Sequence, residues 1–410
     1  MARLDAFGRR GLLKGSLAAA TTLSLGGCMS TLAGGSRPAP PAALPTAPLP
    51  TAPLEPFGGP GLGNGPVRVA LLLPLTGPGQ GAAVAASMRN AAELALSEFQ
   101  GPDLTILLKD DKGTPEGARD AAGEALAEGA ELILGPLFAG SVAAAGQVAR
   151  AAGRPVIAFS TDASVASRGV YLIGFLPGPE VDRVIDFAAS QGRRSVAGLI
   201  PETTYGNVVE VAFREAAARN NMRVAGVERY AAGAAAAAVA RLAPMIGGAA
   251  PQADTLFVPE TADNLGAVAQ ALQTAGFNPA RVKPIGTAVW NDPRVARIPA
   301  LAGGWYAAPD QAGFQGFAGR YRARFGSEPT RIASLAYDAV SYAAALSRTQ
   351  GSQRFAEGVL TNPSGAAGTD GLFRLKPDGT NERGLAIFEL RGGASAVVNP
   401  APRSFGAPGA

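Results

Sequence analysis

The stretch Val67-Arg68-Val69-Ala70-Leu71-Leu72-Leu73-Pro74-Leu75-Thr76-Gly77-Pro78-Gly79 decides how the rest of the chain reads. Its first seven residues form an apolar run broken only by Arg68, too short for a helix. That is the composition of a strand buried on both faces of a parallel sheet. Pro74 and the Gly77-Pro78-Gly79 cluster end it. Beyond the turn, Val84, Met88, Ala91, Ala95 and Phe99 recur at three- and four-residue spacing and predict a helix with one apolar face. The unit then repeats. Strands over 104–108, 132–134 and 156–159 alternate with helices over 116–128 and 140–152, a βαβ rhythm.

A second series opens near Pro177, where Val181, Val184, Ile185 and Ala188 share one helical face. Strands are predicted over 196–200, 224–229, 255–258 and 282–285. Helices over 207–220, 231–243 and 262–275 separate them, the last with Leu265, Val268, Ala269 and Leu272 turned inward. Two such series imply an α/β fold of two doubly wound, Rossmann-like lobes. Further helices fit 311–325 and 331–348. A hairpin of 371–375 with 385–390 is predicted around Lys376-Pro377-Asp378-Gly379, followed by a loose tail from 393.

The 410 residues include 36 Lys and Arg, 32 Asp and Glu, one Cys and no His. Without His there is no Ser-His-Asp or Cys-His nucleophile pair, no imidazole base and no His-ligated metal. One Cys excludes an intramolecular disulfide and a cysteine cluster. Carboxylate or Ser-Lys chemistry survives this filter, and a binding protein survives it more easily. Arg3, Arg9, Arg10 and Lys14 against Asp5 account for most of the +4 net charge. The remainder is close to neutral, which argues against nucleic acid as a partner.

Residues 1–14 are basic, and the apolar stretch 15–27 is too short to span a bilayer but suits a signal-peptide core. The Arg9-Arg10-Gly11-Leu12-Leu13-Lys14 run resembles a twin-arginine export signal, with Gly8 and Leu12 where Ser or Thr and Phe are usual. Leu25-Gly26-Gly27-Cys28 resembles a bacterial lipobox, whose small residues admit the peptidase and whose Cys sulfur receives lipid. Lipid on Cys28 would tie the protein to a membrane from the periplasmic side, and Met29 in place of Asp favours the outer membrane. Residues 29–66, rich in Pro, Ala, Gly and Thr, predict an extended linker with a reach on the order of 100 Å.

Two patterns in the sequence are compatible with an enzyme. Gly77-Pro78-Gly79-Gln80-Gly81-Ala82 fits G-x-G-x-x-A between a strand and a helix, with Asp110 ending the next strand, as in a dinucleotide site. No catalytic set accompanies it, and a Gly/Pro turn into a helix explains it, so a nucleotide-dependent enzyme is the distant alternative and no cofactor is expected. Asp110 and Asp111, adjacent on an extended segment, point opposite ways and make a poor acid/base pair. They predict a solvated strand end. Tyr337 and Asp338 predict structural roles.

From Val67 to about Arg391 the chain resembles the type I periplasmic-binding fold, in its leucine/isoleucine/valine-binding branch. The residues that carry the resemblance are VRVALLLPLTGPG (67–79), LKDDKGTPEGA (108–118), LILGPLFAGSV (132–142), RPVIAFST (154–161), IPETTYGN (200–207) and GTDGLFRLKPDGTNERGLAIFEL (368–390), in family order. Within that branch ALLLPL (70–75), GPL (135–137), FLPGPEVDR (175–183), LIPETTYGN (199–207) and LAGGWY (301–306) are most similar to the penicillin-binding protein activators, envelope lipoproteins that stimulate peptidoglycan synthases. The resemblance implies a non-enzymatic protein with lobe 1 over 67–176 and 309–360, lobe 2 over 177–308 and 361–395, and a tail over 396–410. Three crossings, near 175–179, 305–309 and 361–368, would form a hinge on which the lobes close. The implied partner is a peptidoglycan synthase. The alternative is the substrate-binding protein of an ABC transporter for branched-chain or other amino acids, with its permease as partner.

Ligands of open α/β sheets meet the carboxyl ends of strands and the following helix N-termini. That rule selects loops 76–81, 110–114, 135–141 and 160–162 in lobe 1, and 202–206, 260–263 and 287–292 in lobe 2. Ser141, Ser160 and Thr161 match positions where amino-acid-binding relatives hold a carboxylate, and helix capping remains the plain alternative. Tyr205 matches an aromatic packed over the ligand, or is a half-buried loop tyrosine. Relatives place an acid after the strand ending at Ile285 to pair with the ligand ammonium. Here Gly286-Thr287-Ala288-Val289-Trp290-Asn291-Asp292 lacks it or displaces it to Asp292. Glu260 or Asp162 would substitute, and Trp290 completes the candidate contacts for a small amino-acid-like ligand.

Overall fold

A computed structural model describes residues 61–99 and 103–406. Arg9, Arg10, Cys28 and nearly all of the expected linker lie outside these residues. The first sheet is built from β1 (Gly61–Leu62), β2 (Val67–Leu73), β3 (Leu104–Asp110), β4 (Leu132–Leu134), β5 (Val156–Ala158) and β6 (Val170–Leu172). Its order is β1-β3-β2-β4-β5-β6, parallel except for β1. All of β2 but Arg68 is buried, as its composition requires. Helix α1 (Gly81–Glu98) covers one face, and α2 (Pro115–Ala127) with α3 (Ala139–Ala151) the other. Helix α2 starts where it does because Thr114 Oγ1 accepts the Gly117 N–H at 3.0 Å and Pro115 presets the first turn.

The second lobe runs α4 (Pro177–Ser190), β7 (Ser195–Pro201), α5 (Thr204–Arg219), β8 (Arg223–Tyr230), α6 (Ala235–Ile246), β9 (Thr255–Phe257), α7 (Ala262–Thr274), β10 (Lys283–Gly286) and β11 (Trp305–Ala308). Helices α4 and α5 pack on one face of the sheet, α6 and α7 on the other. The chain then returns. Helices α8 (Gln311–Phe325) and α9 (Ala333–Thr349) complete the first lobe, Phe317, Tyr321, Leu335, Val340 and Leu346 packing with α1 beneath the first sheet. Burying each such side chain contributes roughly 1.5–3 kcal/mol. A short helix, α10 (Glu357–Leu360), leads to a small antiparallel sheet of β12 (Ala366–Gly368), β13 (Gly371–Leu375) and β14 (Asn381–Arg383). Strands β15 (Ala386–Arg391) and β16 (Ala394–Asn399) finish the second sheet, ordered β16-β15-β11-β10-β9-β7-β8.

Three expectations are corrected. The partner of 371–375 is Asn381–Arg383, not 385–390, which pairs antiparallel with β11. The tail expected from 393 includes β16, hydrogen-bonded along β15. The small sheet also sits with the first lobe rather than the second. Asn381 Nδ2 donates to the Leu172 and Gly174 carbonyls at 2.9 and 2.8 Å, and Arg383 Nη2 donates to the Ile173 carbonyl. The third passage between the sheets therefore falls between Arg383 and Ala386, not near 361–368. No helix among the described residues is long and apolar enough to cross a membrane.

Candidate functional site

Both sheets share one winding. The first strand of each series, β2 or β7, lies between the second (β3, β8) and the third (β4, β9), and the flanking helices leave to opposite faces. A crevice therefore opens at the carboxyl ends of β2/β4 and of β7/β9. In the second lobe it is a cavity of about 960 Å³, lined at the strand ends by Pro201, Glu202, Tyr205, Tyr230, Glu260 and Val289 and running on between α6 and α7.

Glu260 is its buried acid. The Tyr230 hydroxyl donates to Oε2 at 2.6 Å. Oε1 accepts from the Thr261 N–H at 2.7 Å, the Thr261 hydroxyl at 3.1 Å and Asn264 Nδ2 at 3.2 Å. Burial and the Glu260 carboxylate both push the Tyr230 phenol up, so it stays a donor. Tyr205 shares a 2.5 Å hydrogen bond with Thr287 Oγ1, and burial raises its pKa as well.

The loop after Ile285 is instead held by an acid from another element. Glu180, in the first turn of α4, is buried and accepts the Ala288 N–H at 3.0 Å. Burial pushes its carboxyl up to about 8, against the pull of that N–H and of the Arg331 and Arg383 guanidiniums. Its sequence signal was an acid four residues before Val184, on the apolar face of a helix. Asp292, the displaced candidate, is instead bound to Arg294 at 2.8 Å, and Arg294 also takes Asp263 at 2.7 Å.

Trp290 does not face the crevice. It is fully buried in the second core, Nε1 donating to the Val258 carbonyl at 3.0 Å. Its ring lies over Gly286, where a Cβ would stand 2.3 Å from it, so the loop folds back on itself.

In the first lobe, Ser141 is also turned inward. It is 1% exposed, and its hydroxyl has no hydrogen-bond partner. As the third residue of α3 it falls on the face packed against the sheet and α2. Ser160 is buried, its Oγ accepting the Asp162 N–H at 3.1 Å, while Asp162 caps a short turn through Ser164 N. Thr161 is the exposed hydroxyl of the three. Sequence reasoning missed Phe138, the residue capping α3. It carries no side-chain cap bond and its ring is 44% exposed, lying across Gly81 and Gly113 at the rim of the crevice. A large aromatic where a polar cap is usual was the available signal.

Asp110 and Asp111 divide their roles as opposite-facing neighbours should. Asp110 accepts the Thr76 hydroxyl at 2.5 Å, but Asp111 is fully buried rather than solvated, its Oδ1 accepting the Gly113 N–H at 2.8 Å. Burial pushes Asp111 up to about 6. Between the lobes, Arg383 is buried against Phe175 and Phe373, near Asp338 and Asp370. Arg331 holds Asp370 at 2.6 Å, and Asp338 accepts the Thr369 N–H at 2.7 Å. Tyr337 donates to Glu98. Arg383 lies at the last crossing, whereas the other pairs tie α9 and the turn before it to the small sheet and to α1 within the first lobe.

Solved structures with this fold include a Rhodospirillum rubrum protein assigned to branched-chain amino acid ABC transport, at 20% identity and TM-score 0.71, covering 81% of this chain and 99% of that one. A Rhodopseudomonas palustris ABC-transporter solute-binding protein, in complex with 3,4-dihydroxybenzoic acid, is similar at 21% identity and TM-score 0.58, covering 84% and 99%. A leucine-binding protein of Thermotoga maritima is similar at 19% identity and TM-score 0.55, covering 82% and 99%. No curated protein sequence matches the chain. The periplasmic binding protein family model matches residues 66–394, through both lobes and their crossings, and the chain belongs to that family, one of solute-binding proteins rather than enzymes.

Proposed function

We propose that this protein is the solute receptor of an ABC importer, taking an amino-acid-like solute between its lobes. The observation that carries the reading is the cavity at the second lobe's switch point, with the Glu260 carboxylate buried at its wall. A solute ammonium would meet Glu260 and Glu202. Its carboxylate would meet the exposed Thr161 hydroxyl and the α3 N-terminus, whose N–H groups have no side-chain cap. The leucine-binding protein among the neighbours named above supports an amino-acid solute.

The test is thermal unfolding of the full chain against a panel of the common amino acids. At one hundred times its dissociation constant a true ligand adds about 2.7 kcal/mol. A shift confined to a few amino acids, weakened by Glu260→Gln and by Thr161→Ala, supports the receptor. A flat panel on folded, ligand-free protein favours the second reading, a penicillin-binding protein activator acting through contact with a peptidoglycan synthase. Two observations point that way. Ser141 is sealed from the crevice, and Glu260 already accepts four hydrogen bonds from its own chain. Either role is served by export and a lipid on Cys28, with the linker holding the lobes off the outer membrane. Mass spectrometry of the mature N-terminus tests the anchor.

A further inference from the structure

The second-lobe cavity does not stop at the strand ends. It continues between α6 and α7, where Ala236, Ala240 and Ala243 on one helix face Ala267 and Ala271 on the other. Spacings of three and four residues put each set on one stripe. Methyl groups on both stripes leave a groove between the helices, open to solvent along Ala236, Ala240 and Ala267, which are exposed. The resulting 960 Å³ lies at the top of the roughly 300–1,000 Å³ range of small-molecule pockets.

The two ends differ in chemistry. The mouth carries Glu202, Glu260 and Asp263, of which Asp263 is held by Arg294. Among the described residues, no Lys or Arg lines the cavity. An anionic group is therefore unfavourable along it, and a cationic group belongs at the mouth. Beyond the mouth the walls are mostly alanine, with Asn264, Gln270 and Thr274 on the α7 side, so what runs along the groove from the ammonium is largely hydrocarbon.

We propose that the solute carries an extended apolar arm, longer than the side chain of leucine, which lies in the channel between α6 and α7 while its ammonium stays at Glu202 and Glu260. The proposal rests on the receptor reading and adds the substrate class: a long-chain or bulky hydrophobic amino acid, or a compound with that head and arm. Each methylene taken from water contributes about 0.8 kcal/mol, which is about fourfold in affinity. With part of the channel open to solvent, the gain is about two- to fourfold per carbon.

The experiment is calorimetric titration of the full chain with straight-chain 2-amino acids from 2-aminobutyrate to 2-aminodecanoate. It is repeated on Ala240→Phe and Ala271→Phe, which fill the channel, and on Ala236→Leu at an exposed wall position in case the larger residues perturb folding. The proposal expects affinity to rise two- to fourfold per carbon in the unaltered protein and the series to flatten in the filled variants. Binding of the short members with no gain along the series, or a gain untouched by filling, overturns the channel while leaving the receptor. Failure of every member to bind overturns both.

Discussion

Replacing Glu180 by Gln tests the electrostatics of the second lobe directly. Glu180 titrates near 4.5 when the chain is unfolded and about 8 in its buried place beside Ala288. Between those values the folded protein holds a proton that the unfolded chain has released, so stability falls as pH rises, by about 1.4 kcal/mol per unit. It is fully present below pH 4.5 and lost above pH 8. From pH 5 to 7.5 this one group removes about 3 kcal/mol. Glutamine has nearly the same shape, its amide oxygen still accepts the Ala288 N–H, and it has no proton to lose. Asp111 and Asp338, each pushed up to about 6, steepen the pH dependence of both proteins and cancel in the comparison. Urea unfolding at a series of pH values should therefore show the difference between Glu180→Gln and the unaltered protein moving by about 3 kcal/mol across pH 5–7.5, the variant gaining at the upper end. A difference that stays constant with pH would mean that Glu180 is charged when folded, and the burial argument would be wrong.

Other substitutions probe the rest of the fold. Ser141→Ala removes a buried hydroxyl with no partner, so chemical unfolding should show stability unchanged or raised by up to about 1 kcal/mol. Asn381→Ala leaves the Leu172 and Gly174 carbonyls without their donor, and denaturant titration should record a loss of about 2–4 kcal/mol. Trp290→Ala empties the second core beneath β10, and the same measurement should show a loss of about 3–5 kcal/mol.

Long periodic segments were legible in the sequence. The helix read at 311–325 and the strand at 132–134 have those bounds in the structure, because apolar spacing and local capping agree there with tertiary packing. Strand β6 is less legible because Val170–Leu172 follows a short turn with no α-helix before it and so falls outside the βα rhythm that marks 132–134. The hairpin was misread because 385–390 is the more apolar candidate. The true partner, Asn381–Arg383, is polar, and its side chains are used on the backbone carbonyls of 172–174, a contact no local pattern reveals. In the site, Glu260 and Tyr205 line one cavity. Trp290 does not, since an aromatic in a strand-end loop reads alike whether it faces ligand or folds back over Gly286. Glu180 needed the opposite emphasis, as an acid out of place on an apolar helix face.

The order in which the chain builds its lobes has a kinetic consequence. Helices α1 and α9 pack face to face, yet the whole second-lobe βα series lies between them in sequence. A nascent chain that has emerged only as far as β11 has one face of the first sheet covered by α1 alone, with the α9 side of that core exposed, and β11 as an open edge awaiting β15. Neither lobe can be finished before the other is well advanced, so native pairing depends on distant segments and the closing steps are slow. Chains interrupted before residue 333 would be the aggregation-prone species of this protein, sticky through a half-covered core and an open sheet edge rather than through any weakness of the finished fold.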